Sequence, residues 1–221
     1  MDSTDDDRWP GGADLVAAAA EGQLPDWVEM SDNRRAHAAR VAALLDSWAL
    51  RLGLDASARA RWRAAGWLHD ALKGADPETL RDQVDPEFRD FPGATLHGPA
   101  AAARLASLGV TDAGLLRAIA YHTVGHPDLD RLGRALYLAD YLEPGRAADA
   151  EMRAELRSRM PHEFDAVLRE VIAHRIRHSL ARHRAIRPET MSFWNAVVSE
   201  SPGGEPVGHG PGDRRRLRPD D

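Results

Sequence analysis

The chain has 221 residues, no cysteine and a formal net charge of −6 at pH 7. The lack of cysteine excludes disulfide bonds and thiolate metal sites, and the acidic balance argues against nucleic acid as the main partner, because phosphate backbones attract basic surfaces. No apolar run approaches the roughly 20 residues that a membrane span needs, and no N-terminal stretch shows a signal pattern. We therefore expect a cytoplasmic protein that binds neither nucleic acid nor a membrane.

The composition predicts an all-α fold. Alanine, leucine and arginine, which favour helices, dominate, and no segment shows the alternation of β-branched residues typical of strands. Helices are predicted at about 33–52, 57–73, 97–108, 112–122, 130–142, 147–158, 162–184 and 188–198. The predicted start and stop signals are Asp55 or Ser57, Asp112 and Asp130 as N-caps, and Gly53, Gly74 and Gly109 at helix ends.

One helical domain is predicted over residues 30–198. The acidic start, "MDSTDDDRWPGG", favours a partly disordered leader over residues 1–29. Residues 75–96 contain three prolines and are predicted to form a connector with one short helix. A glycine-, proline- and arginine-rich composition favours a disordered tail over residues 199–221.

Basic residues are concentrated in two stretches despite the negative net charge. They are "HRIRHSLARHRAIR" (174–187) and "RRRLR" (214–218). We interpret the first as the solvated face of a helix and the second as a loose tail, with contact to a polyanion as the alternative for either stretch.

Histidine and aspartate side chains fall on the apolar faces of the first two predicted helices. In the helix over 33–52, His37 recurs at helical spacing with apolar residues, and Arg34 lies one turn earlier on the same face. In the helix over 57–73, His69 belongs to the apolar stripe, and Asp70 lies about 100° further round. A buried aspartate needs a partner, because an isolated buried carboxylate is strongly disfavoured.

Three further candidates follow in the second half of the chain. His122 and Asp140 each end an apolar helix face, and His97 begins a helix at Gly98, which permits close approach of the backbone. A single inward histidine is usually a hydrogen-bonded core residue, but four histidines and two aspartates without a shared cation would leave several polar groups unsatisfied. The sequence therefore predicts a divalent metal centre, for which imidazole and carboxylate ligands suit iron, manganese or zinc.

A resemblance to a known family covers about the same residues as the predicted domain. The stretches that carry it are "RRAHAARVA" (34–42), "GWLHDALK" (66–73), "LHGPAAA" (96–102), "AIAYHTVGHP" (118–127), "LYLADYLEPGR" (136–146) and, more weakly, "IRPETMSFWN" (186–195). The residues that match the H…HD…D signature of the HD superfamily of metal-dependent phosphohydrolases are His37, His69, Asp70 and Asp140. Within that superfamily the chain resembles the bacterial symmetrical diadenosine tetraphosphate hydrolases, the YqeK-type branch.

The resemblance implies an HD-domain helical bundle with a metal in its site. Iron, with manganese or zinc as alternatives, would be held by His37, His69, Asp70 and Asp140. His97 and His122 would either hold a second metal or bind substrate phosphates, and all six residues count as catalytic. The other residues expected to bind substrate are Arg34, Lys73, Thr123 and Arg146.

The implied activity is that of a symmetrical bis(5'-nucleosyl)-tetraphosphatase, in which a metal-activated water splits diadenosine tetraphosphate into two ADP. The alternatives are another HD-type nucleotide phosphohydrolase, such as a nucleotidase or phosphodiesterase, and a nucleotide-sensing protein without turnover. The expected partner is a dinucleoside polyphosphate, and the sequence leaves open whether the protein is a homodimer. Val124 and His126 replace a threonine and an arginine of the family pattern "YHTTGRP", which bears on nucleotide preference.

Overall fold

A computed structural model describes residues 11–200 of the chain. Within this range the fold is all-α, as predicted, and contains no β-strand. The helices are α1 (Gly12–Ala20), α2 (Asp32–Arg51), α3 (Ala56–Leu68), α4 (Pro77–Arg81), α5 (His97–Ser107), α6 (Ala113–Tyr121), α7 (Arg131–Leu142), α8 (Ala150–Arg159), α9 (Phe164–Ala181) and α10 (Pro188–Ser199). Two 3₁₀ helices, Pro86–Phe88 and Gly93–Thr95, lie between α4 and α5.

The predicted helices correspond to α2, α3 and α5 to α10, and α4 is the short helix predicted in the connector. The prediction is wrong at the end of α3, which stops at Leu68 and not near Gly74, so that residues 69–74 form a turn. Backbone hydrogen bonds fix this turn: Lys73 N–H donates to Asp70 O at 3.0 Å, and Gly74 N–H donates to Glu29 O at 2.7 Å. Asp70 and Lys73 therefore lie on a turn, and helical spacing does not give their directions.

Helix starts and ends are otherwise defined by local signals in the sequence. The carboxylates that accept hydrogen bonds from the first turns of their helices, at 2.7, 2.9 and 2.8 Å, are those of Asp55, Asp112 and Asp130. Asp55 is thus the N-cap of α3. Gly53 and Gly109 follow the ends of α2 and α5 with φ of 72° and 86°, in the left-handed region that favours glycine.

Helix α1 was not predicted from the sequence. Leu15 and Ala19 are fully buried, and α1 packs on α3. The segment is too short for a clear helical period, and a helix of this length depends on tertiary packing. Residues 12–20 thus fold with the domain, while disorder stays a prediction for residues 1–10 and 201–221, which lie outside the described residues.

The close crossing of α2 and α3 brings the first two histidines together. A Cβ atom on Gly66 would come within 2.5 Å of Ala42 Cα, so only glycine permits the observed approach of the two helices. His37 on α2 and His69 directly after α3 consequently face each other, with ring centroids 5.3 Å apart.

Helix α7 lies at the centre of the bundle. It contacts α2, α3, α6, α8 and α9, and its consecutive residues Leu136, Tyr137 and Leu138 are fully buried. Apart from Ala38 and Ala42, the buried apolar side chains of the described residues form one core cluster. Among residues 11–200, we find no helix with the length and apolar character needed to cross a bilayer.

Replacing Gly66 with alanine should destabilise the protein, because the new methyl group would force α3 away from Ala42. Overpacking of this kind lowers the free energy of unfolding by about 1–3 kcal/mol, which urea denaturation would measure. Ser57→Ala, on the exposed first turn of the same helix, is the control and should change stability by less than about 0.5 kcal/mol. Equal stability of the two variants would contradict the close helix crossing.

Candidate metal centre

Four of the predicted ligands converge at the crossing of α2, α3 and α7. The Nε2 atoms of His37 and His69 are 3.3 Å apart and lie 3.8 and 3.6 Å from Asp70 Oδ2. Asp140 Oδ1 lies 3.1 Å from His37 Nε2 and 4.0 Å from His69 Nε2. We call these four residues the first donor set.

The other two predicted histidines meet the second oxygen of the same aspartate. Asp70 Oδ1 lies 3.0 Å from His97 Nε2 and 3.6 Å from His122 Nε2, and the two Nε2 atoms are 3.2 Å apart. Asp70, His97 and His122 form the second donor set. Asp70 is 3% exposed and belongs to both sets, one oxygen to each.

Three of the histidines are oriented by the same kind of hydrogen bond, from the ring to a nearby backbone carbonyl. His69 follows the end of α3, His122 follows the end of α6, and His97 begins α5. The Nδ1 atom of each lies close to the carbonyl oxygen three residues earlier, at 2.8 Å for Gly66, 2.8 Å for Ile119 and 3.1 Å for Ala94. Because a carbonyl only accepts, Nδ1 carries the proton and Nε2 is left with its lone pair.

His37 lies in the middle of α2 and is held by a side chain instead. Its Nδ1 is 3.3 Å from Oε1 of Glu143, which is 2% exposed. Arg40 Nε donates to Glu143 Oε2 at 2.6 Å, and the Gly145 N–H donates to the same oxygen at 2.8 Å. Glu143 was missed in the sequence, although it lies three residues after Asp140 in "LYLADYLEPGR".

Burial and neighbouring charges set the protonation of the site. Burial lowers the pKa of His69 and of His97 to about 4, so that both rings are neutral at pH 7. Burial alone would raise the pKa of Asp70 and Asp140, but the surrounding histidines, and for Asp140 also Arg146, outweigh burial and lower it, so both carboxylates are ionised. Burial also acts to lower the pKa of His37, but the hydrogen bond and charge of Asp140 outweigh it and the pKa is raised. The first donor set therefore favours a positive charge.

These donors fit a divalent metal. The Nε2 lone pairs of His97 and His122 face each other at 3.2 Å, and two acceptors cannot hydrogen-bond to each other. The Nε2 atoms of His37 and His69 are likewise only 3.3 Å apart. A cation offers what they lack, since donors bound at about 2.1 Å and at right angles lie about 3 Å apart. Groups of His37, His69 and Asp70 and of Asp70, His97 and His122 both have donor spacing that a metal ion can bridge.

The donor sets open into a cleft of about 400 Å³. The predicted site residues that line it are Arg34, Asp70, Lys73, His97, His122, Thr123, Asp140 and Arg146, while His37 and His69 lie behind Asp70 and Asp140. Despite the error at the end of α3, Lys73 reaches the cleft, where its Nζ donates to Ala94 O at 3.2 Å and lies 3.3 Å from His97 Nδ1.

The opposite wall of the cleft comes from α9 and was missed in the sequence. His174, Arg175 and His178 line the cleft, so the stretch 174–187 is not only a solvated helix face. Arg175 Nη2 donates to Thr123 O at 2.5 Å. The spacing of these three residues, which places them on one side of a helix, was the available signal. The second basic stretch, 214–218, lies outside the described residues.

A family comparison agrees with this geometry. The HD domain family matches residues 34–145, which is half of the chain. The chain belongs to the HD domain family. All six donors and Glu143 lie within the matched range. The side chains that converge in the structure therefore belong to the segment that matches the family. The HD domain implies a divalent metal, and the clustered histidine and aspartate side chains could hold one.

Individual relatives extend the comparison. The symmetrical bis(5'-nucleosyl)-tetraphosphatase of Bacillus subtilis (strain 168) is 26% identical over 179 residues, covering 78% of this chain and 94% of the relative. The Staphylococcus aureus (strain NCTC 8325 / PS 47) protein of the same name is 34% identical over 88 residues, covering 37% of this chain and 45% of the relative. An HD superfamily hydrolase structure from Clostridium acetobutylicum, described as involved in NAD metabolism, matches with a TM-score of 0.69 at 23% identity, over 85% of this chain and 97% of that one. At this identity the structural likeness shows the fold alone.

Metal content should depend on Asp70 more than on any other donor. Asp70→Ala should lose all bound metal, whereas His97→Ala should reduce the content from about two ions per chain to about one. Elemental analysis of anaerobically purified protein measures both values, and Asp82→Ala, at an exposed position, is the control. If folded Asp70→Ala kept the metal content of wild type, Asp70 would not be a ligand shared by the two donor sets.

Glu143→Gln should weaken metal binding without removing a ligand, because the neutral amide no longer polarises His37. Losses of about 10- to 100-fold are typical when such a partner is changed, and competition with a chromogenic chelator would measure them. The matched control is Glu151→Gln on the exposed surface of α8. If both variants bind metal with the affinity of wild type, Glu143 does not contribute to metal binding through His37.

Proposed function

We propose that the protein is a symmetrical bis(5'-nucleosyl)-tetraphosphatase, which hydrolyses diadenosine tetraphosphate to two ADP. The observation that carries this proposal is Asp70, whose two oxygens belong to two donor sets at the floor of one cleft. Adjacent metal sites suit in-line displacement at phosphorus. The names of the relatives, which are 26% and 34% identical, support the choice of substrate.

The proposed metal ligands are His37, His69, Asp70 and Asp140 in one set and Asp70, His97 and His122 in the other. A bound divalent metal would lower the pKa of its water to about 7 and would neutralise charge on phosphate oxygens. Iron is the metal we propose first, with manganese and zinc as alternatives, because nitrogen and carboxylate donors suit all three.

We infer that cations on three different elements hold the phosphate chain. Arg34 Nη1 lies 3.4 Å from Asp70 Oδ2, and Arg146 Nη2 lies 2.5 Å from Asp140 Oδ1. Lys73 Nζ lies beside His97. The central bond of a tetraphosphate has two phosphates on each side, and cations beside both carboxylates can hold phosphates on both sides of the bond.

Neutral donors complete the proposed phosphate site. Thr123 Oγ1 lies 3.0 Å from His122 Nε2, so its hydroxyl reaches the second donor set. Helix α5 begins at His97, and the positive end of a helix dipole favours an anion. Together these groups orient a polyphosphate over the donors.

Product analysis tests the proposal. Metal-loaded protein incubated with diadenosine tetraphosphate should release two ADP for each substrate consumed, with neither ATP nor AMP. Cleavage of AMP or cyclic AMP while the dinucleotide stays intact would favour a nucleotidase or phosphodiesterase and overturn the proposal. Binding of the dinucleotide without turnover would instead favour a nucleotide-sensing protein.

Arg34→Ala and Lys73→Ala should raise the KM for diadenosine tetraphosphate while the metal stays bound, because both residues contact the donor sets without belonging to them. Loss of a charged contact of this kind corresponds to about 10-fold or more in KM. Arg35→Ala, the exposed neighbour of Arg34, is the control for a change in overall charge. Loss of metal from either variant, or kinetics like those of wild type, would show that these cations have another role.

A further inference from the structure

A second, smaller cavity adjoins the metal cleft. It has a volume of about 150 Å³ and lies between α7, α9, α10 and the turn after α6. Thr123, Arg175 and Ser179 line both spaces. The hydroxyl of Thr123 lies 3.0 Å from His122 Nε2. Thr123, which lines the small cavity, therefore contacts the second donor set directly.

The walls of this cavity suit a flat, partly apolar group. Val124, Ile176 and Ile186 supply apolar surface. The guanidinium carbon of Arg175 lies 4.7 Å from the centroid of the Tyr137 ring. A guanidinium plane such as that of Arg175 is a common stacking partner for heteroaromatic rings.

Within residues 11–200, the hydroxyl of Tyr137 has no hydrogen-bond partner. Tyr137 lines the small cavity and is fully buried, and within the described residues its hydroxyl and the Trp27 indole N–H are the buried side-chain groups that lack one. An unpaired buried hydroxyl is destabilising. A ligand in the cavity that offers a hydrogen-bonding atom would satisfy it.

We propose that the small cavity receives the nucleobase of a nucleotide whose phosphates lie in the metal cleft. The proposal rests on the proposed function for the phosphate site and adds the position of the base. The base would lie against Val124 and Ile176, beside the Arg175 guanidinium, and would hydrogen-bond to the Tyr137 hydroxyl. Residues of α7 and α9, and not the metal ligands, would then decide which nucleotide binds.

The first test compares two probes that share the diphosphate, of which only ADP also carries a ribose and a base. Calorimetry on metal-loaded protein should show that ADP binds at least about 10-fold more tightly than inorganic pyrophosphate. Tyr137→Phe should reduce this preference about fivefold, the equivalent of one hydrogen bond, and pyrophosphate binding should not change. Thermal stability should be equal to that of wild type or higher, because the variant removes an unsatisfied group.

A pair of matched substitutions provides the second test. Ala185 is exposed and lines the small cavity, while Ala181, at the end of α9, is exposed and does not line it. Ala185→Trp should fill the cavity and abolish the preference for ADP. Ala181→Trp should keep the preference, since the same side chain then lies outside the cavity.

The outcomes separate this proposal from the proposed function. Equal affinity for ADP and pyrophosphate, or the same ratio in wild type, Tyr137→Phe and Ala185→Trp, overturns the nucleobase site whether or not the dinucleotide is cleaved. A preference for ADP that depends on Tyr137 and Ala185 supports the site, even if diadenosine tetraphosphate is not hydrolysed and the proposed function fails.

Discussion

The structure depends on one buried carboxylate that four imidazole rings must reach. Asp70 is ionised and 3% exposed, and a buried charge is tolerated only with several well-placed partners. Arg34 is one such partner, at 3.4 Å from Asp70 Oδ2, and a cation held by the imidazole rings would be another. The donors come from α2, α5 and α7 and from the chain just after α3 and α6, so the relative placement of these elements is set by their approach to Asp70 as well as by the apolar core.

Helix ends are an economical place for such ligands. The last carbonyl groups of a helix have no partner within it. At the ends of α3 and α6, the Nδ1 atoms of His69 and His122 hydrogen-bond to the carbonyl oxygens of Gly66 and Ile119. One hydrogen bond thus satisfies a free carbonyl and also fixes which ring nitrogen keeps its lone pair. The ligand and the helix terminus stabilise each other.

Local patterns in the sequence were sufficient for the fold class, and they singled out six candidate donors, whose role as metal ligands stays a prediction. Four of the candidate donors lie on or end an apolar helix face, whereas His97 begins a helix and Asp70 lies on the turn after α3. The N-caps Asp55, Asp112 and Asp130 mark where helices begin. These are properties of neighbouring residues, which periodicity and capping rules capture.

What the sequence did not reveal depends on contacts between distant segments. The end of α3 is fixed by the hydrogen bond from Gly74 to Glu29, and α1 is stabilised by its packing on α3. Glu143 resembles an ordinary charged residue beyond a helix, and only the position of His37 gives it a role. Likewise the basic face of α9 becomes a wall of the cleft only because α9 packs beside α7.

The two ways of holding the histidines have different consequences for evolution. Where a backbone carbonyl holds the ring, as at Ala94 and Ile119, the side chain of the supporting residue can change freely as long as the backbone keeps its path. Where a side chain holds it, as Glu143 does for His37, the two residues must be inherited together. In a set of divergent sequences, His37 and Glu143 should therefore covary, whereas His97 and His122 should show no comparable covariation with the residues that support them.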